Sequence, residues 1–164
     1  MSARRPTRMP RWHEWSIYLG FGILLLTGLA WLAFDKWVRI VGEFGPEHHP
    51  VQHLLIIIHG IAAYAFLIVA GALIPVHVKV GWSTARNRVS GVTIASLLGF
   101  VALTALGLYY AGGDVAREWS SLAHWIVGIV AAPVLLIHVV RGLRGATPPR
   151  AGSPRQQGRP KPAG

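Results

Sequence analysis

Histidine carries the coordination chemistry of this chain. There are eight histidines and no cysteine, so thiolate metal sites, disulfides and cysteine nucleophiles are excluded. Four histidines fall into two spaced pairs. His59 and His77 are 18 residues apart, and His124 and His138 are 14 apart. At 100° per residue, 18 residues make five whole turns of α-helix, and 14 leave the two side chains about 40° apart. Each pair thus shares one helix face, with rises of about 27 Å and about 21 Å. Two parallel helices carrying such pairs set His59 level with His124, and His77 level with His138. The accumulated mismatch is about 6 Å, which tilt and kinks at Pro75 and Pro133 can absorb. Two facing imidazoles at each of two depths suit two haem irons, each with two axial histidines. Zinc or copper would be under-coordinated by two histidines per site. A proton relay lacks a buried Asp or Glu beside the histidines.

The elements that must position these residues are apolar spans. The chain has 164 residues, 52% hydrophobic and 13% charged, with a mean hydropathy of +0.45. Soluble domains carry roughly 25% charge. Residues 16–34, 54–76, 89–111 and 122–140 contain no Asp, Glu, Lys or Arg. Each is close to the roughly 20 residues a helix needs to cross a bilayer. The predicted fold is all-α: an integral membrane four-helix bundle over residues 16–145. A basic tail, 1–15, precedes it, and a disordered Pro, Gly and Arg-rich tail, 146–164, follows it. Gly60, Ala63, Gly128, Ala131 and Ala132 leave room near the histidines, with Gly91, Gly99 and Gly107 along the third span.

The net charge of +10 reads as topology. Thirteen Lys and Arg lie in the two tails and the second connection, against three (Lys36, Arg39, Arg117) in the other two connections. Positive residues are retained on the cytoplasmic side. Both termini are therefore expected to be cytoplasmic, in a multi-pass protein of a bacterial-type inner membrane that contacts lipid and no nucleic acid. Anionic haem propionates would find partners in Arg86, Arg88, Lys79 and Arg141 on the inner side, and in Arg39 and Arg117 on the outer. His48, His49 and His53 form an outer cluster able to bind a metal or meet a partner. Their spacing matches no strong motif.

With these residues in view, the chain resembles the four-helix di-haem cytochrome b membrane subunits of formate dehydrogenase and nickel–iron hydrogenase. His124-x13-His138 matches the helix that gives one ligand to each of two haems, and His59 matches the outer-haem ligand. Arg11-Trp12-His13-Glu14-Trp15 and Thr27-Gly28 look like the family's Arg-x-x-His-Trp and Thr-Gly signatures. Glu14 stands where the family histidine would, and His13 is one residue early, which turns it by about 100°. His77 is therefore expected as the fourth ligand, with His13 in reserve. His77, Trp82, Asn87-Arg88, Ser90-Gly91 and Leu108-Tyr109-Tyr110 are similar to a smaller cytochrome b-like group. The resemblance covers about residues 10–145. It implies two haem b groups and electron transfer across the membrane, between a redox partner protein and a quinone, as an electron-transfer protein or oxidoreductase subunit. The competing expectation is a cofactor-free membrane protein, an assembly factor or small transporter, whose histidines form hydrogen bonds or a proton relay.

Overall fold

The computed structural model describes residues 10–43, 45–83 and 87–144. Four long helices dominate: α1 (Arg11–Trp37), α2 (Pro50–Leu73), α4 (Arg88–Tyr110) and α5 (Asp114–Arg144). All four are long and apolar enough to cross a membrane, which makes this a multi-pass membrane protein by helix length and composition. Large apolar side chains such as Leu19, Ile61, Leu103 and Leu136 are each about two-thirds exposed. In water each would forgo roughly 1.5–3 kcal/mol of burial; against lipid tails that cost disappears.

Helices α1 and α5 overrun their charge-free spans at both ends, because polar residues extend them; α4 is shifted by one residue, and α2 begins early but gives way to a π-helical turn at residue 74. Residues 11–15, expected to be tail, are the first turns of α1. Residues 114–121, expected to be connection, open α5. Helix α2 starts four residues early because His49 and Pro50 start it well. The His49 ring accepts a hydrogen bond from the Val51 N–H (3.2 Å), and Gln52 Oε1 accepts one from the His49 N–H (2.9 Å). Proline at the first helical position has no N–H to leave unpaired. The sequence 1–9 and 145–164, and with it the expectation of a disordered tail, lies outside the described residues.

Two connections hold structure that the span pattern does not signal. Strands β1 (Ile40–Gly42) and β2 (Gly45–Glu47) form an antiparallel hairpin between α1 and α2. The short helix α3 (Lys79–Ser83) follows a π-helical turn, Ile74–Val78, at the end of α2. Pro75 within that turn has no N–H for the ladder, which loosens the α-helical register.

The helices pack as two hairpins, α1 with α2 and α4 with α5, and the hairpins meet along α1 and α5. Small residues bring the backbones together within each hairpin. A Cβ on Gly20 would lie 3.2 Å from the Phe66 ring, and one on Gly107 would lie 2.5 Å from Ser120 Oγ. Gly113, with φ +88°, makes the sharp reversal from α4 into α5.

Candidate functional site

The four expected histidines meet in two pairs. The His59 and His124 ring centres are 6.2 Å apart with planes at 69°, and those of His77 and His138 are 5.9 Å apart at 77°. Both pairs join α2, or the π-turn that continues it, to α5. His77 lies in the π-turn, Ile74–Val78, beyond the end of α2 proper.

Three of these rings are braced through Nδ1. The Val101 carbonyl, which can only accept, takes the His124 Nδ1–H (3.1 Å) and sets the tautomer of that ring. The hydroxyls of Thr27, Thr104 and Ser90 lie 2.9, 3.1 and 3.0 Å from Nδ1 of His59, His124 and His138. Each hydroxyl also reaches a nearby carbonyl, Ile23 O (2.7 Å), Val101 O (2.9 Å) and Asn87 O (3.2 Å); when it donates there, its oxygen accepts from the ring, and the Nε2 lone pair of that ring is left to bind a metal. This is the arrangement that metal-ligating histidines adopt.

Glycines complete the braces. A Cβ on Gly28 would stand 3.3 Å from His59 Cε1, and one on Gly91 would stand 3.5 Å from His138 Cε1. These two histidines therefore each lie against a hydroxyl–glycine dipeptide, Thr27-Gly28 and Ser90-Gly91. Beside the rings, a Cβ on Gly60 or Gly128 would meet nothing within 4 Å.

The spacing decides what such pairs can hold. An imidazole nitrogen lies about 2.0–2.1 Å from a bound metal and about 1.1 Å from its ring centre, so two rings flanking one metal have centres about 6.3 Å apart. A direct in-line N–H···N bond of about 2.9 Å would bring them to about 5.1 Å. The observed separations lie nearer the first value. No group of three or more His, Asp or Glu able to hold a metal is found among the described residues. Each pair offers two donors only, and a metal there would take its remaining donors from a non-protein group. A haem, whose macrocycle supplies four donors of its own, would be such a group, and His59 with His124 and His77 with His138 would be the residues to hold it.

Two open clefts lie between α1 and α5. The larger, about 560 Å³, includes Trp31, Lys36, Arg117, Glu118 and Trp125; Trp125 is the neighbour of His124. The smaller, about 380 Å³, is lined by apolar residues including Tyr18, Phe21, Leu135 and Val139; Val139 is the neighbour of His138.

The remaining expected residues are placed as follows. His13 hydrogen-bonds Val69 O through Nε2 (3.0 Å) and stacks on Trp12, so the nitrogen it would offer as the reserve ligand is engaged elsewhere. Arg39 hydrogen-bonds Asp35 through its guanidinium (3.3 Å) and does not line the cleft that Arg117 lines. Arg88 donates to Trp82 O and stacks over the Trp82 ring at 5.3 Å, tying α4 back to α3. Arg141 is exposed, one turn beyond His138 on α5, and Lys79 opens α3. Arg86 lies outside the described residues. In the outer loop the histidines do other work: His48 pairs with Asp35 (3.6 Å) and His49 caps α2. Thr104 was not signalled by the sequence, and Thr27 and Ser90 were signalled only as parts of motifs.

No protein-family model, curated protein or solved structure matches the chain.

Proposed function

We propose that the protein is a membrane b-type cytochrome that binds two haems and passes electrons across the membrane. His59 and His124 hold the outer haem, and His77 and His138 the inner one. When bound, haem iron supplies a one-electron redox centre at each level. The observation that supports the reading is the Nδ1 brace on His59, His124 and His138, combined with ring separations close to those of two imidazoles on one metal.

The same tautomers weigh against the cofactor-free reading. With Thr27 donating to the Ile23 carbonyl and Val101 O accepting from His124, both rings carry their proton on Nδ1, and two Nε2 acceptors cannot hydrogen-bond each other. An electrophile between them, such as a metal, answers both lone pairs. The chain's own residues do the positioning: Thr27, Thr104 and Ser90 hold the rings at Nδ1, and Gly28 and Gly91 let the Cε1 edges of two of them approach α1 and α4 closely. On the outer side Arg117 suits anionic propionates in the larger cleft, since Lys36 and Arg39 both pair with Asp35. Arg141 suits the inner side.

The thirteen-to-three bias in positive residues puts both termini in the cytoplasm of a bacterial-type cell, in its inner membrane. The chain has no flavin, nicotinamide or iron–sulfur motif, so it works with partners: a redox protein and a quinone. The resemblance to the di-haem cytochrome b subunits agrees with this assignment. Substituting His124→Ala or His138→Ala and measuring haem per purified chain tests it. The expected result is a fall from two haems to one in each variant, with the protein still in the membrane. Haem content unchanged in both variants contradicts it.

A further inference from the structure

The two histidine pairs are not equivalent, and His77 is the member that differs. Its backbone is a π-helical turn, Ile74–Val78, rather than the α-helix that holds the other three. Pro75, two residues earlier, gives that turn no N–H. Such turns recur at functional positions. The His77 side chain is exposed, whereas His59, His124 and His138 are half-buried. Among the described residues no hydrogen bond holds the His77 ring. Each of the other three rings has a hydroxyl on Nδ1. Its partner His138 is held on α5 by Ser90 and lies against Gly91.

We infer that the inner site is an exchange site: His77 leaves, His138 stays, and a small lone-pair donor takes the vacated axial position. The outer site does not exchange. This rests on the two-haem reading above. A ring held by both a metal bond and an Nδ1 bond must break both to move. His77 breaks only the first, on a turn in which Pro75 leaves one ladder hydrogen bond unmade. The step is a ligand substitution. The metal–Nε2 bond breaks, a bond to the incoming donor forms, and no electron or proton is transferred. The ligands of this class are compact: carbon monoxide on the reduced site, cyanide or imidazole on the oxidised one.

The test is carbon monoxide added to the anaerobically reduced, purified full chain, followed by visible absorbance. The expected result is that half of the b-type absorbance converts to a carbon monoxide form and half does not. His77→Ala then fixes which haem reacts. If the inner one does, a variant that keeps both haems still converts half, now without a slow opening phase, and a variant that loses the inner haem is left with one haem that does not convert. Conversion of both haems in that variant, or of the single haem it keeps, identifies the outer site as the reactive one in the parent protein and overturns the inference. A parent protein with two haems that is inert to carbon monoxide over hours overturns it too, while leaving the two-haem reading intact. A parent protein with no b-type haem removes both.

Discussion

Replacing Ser90 by alanine should loosen the inner haem and leave the outer one alone. Ser90 is buried, 7% exposed, and its oxygen lies 3.0 Å from His138 Nδ1, the one hydrogen bond to that ring among the described residues. Alanine leaves the Nδ1–H of His138 without a partner, and an unsatisfied buried donor costs about 1–3 kcal/mol. At about 1.4 kcal/mol per tenfold, that is a loss of about 5- to 150-fold in affinity. Losses of about 10- to 100-fold are usual when the outer partner of a metal-bound histidine is removed. Thr104→Ala is the control on the other pair. It removes one acceptor from His124 Nδ1–H but leaves Val101 O at 3.1 Å, so the loss there should be a few-fold, of the order of one ordinary hydrogen bond, about 0.5–1.5 kcal/mol. The assay is haem release into an excess of a scavenging apoprotein, which resolves one phase per site. Ser90→Ala should accelerate one phase by about 10- to 100-fold and spare the other. Unchanged release in Ser90→Ala, or a larger effect from Thr104→Ala, would refute the argument that these hydroxyls position the ligands.

Two further outcomes follow from the packing and from the placement of His13. Gly107→Ala puts a Cβ 2.5 Å from Ser120 Oγ, at the close approach of α4 to α5; overpacking of this kind costs about 1–3 kcal/mol, and thermal unfolding in detergent should show a lowered Tm without loss of haem stoichiometry. His13→Ala removes a hydrogen bond to Val69 O and no ligand, so two haems per chain should remain; a variant that holds only one would make His13 a ligand after all.

Much of the site was legible because helix periodicity is rigid. The 18-residue and 14-residue spacings fix which side chains share a face, and lipid exposure leaves few ways to pair such faces. The π-turn was not legible as such. Pro75 signals a disturbed ladder, but how far the turn widens depends on where His77 must reach. Thr104 is invisible in sequence because its meeting with His124 depends on the register of α4 against α5, set by close contacts such as Gly107 with Ser120. Arg39 illustrates the reverse case: its charge and location suited a propionate, yet Asp35, four residues earlier, captures it locally. The β-hairpin Ile40–Glu47 has no strong alternating pattern, and two three-residue strands carry too little sequence to announce themselves.

The central claim is that each histidine pair holds a haem. A reduced-minus-oxidised visible spectrum of the purified chain, with haem and protein quantified on the same sample, tests it most directly. The account predicts b-type bands from low-spin haem at two per chain. A chain produced with ample haem that shows no b-type band contradicts it.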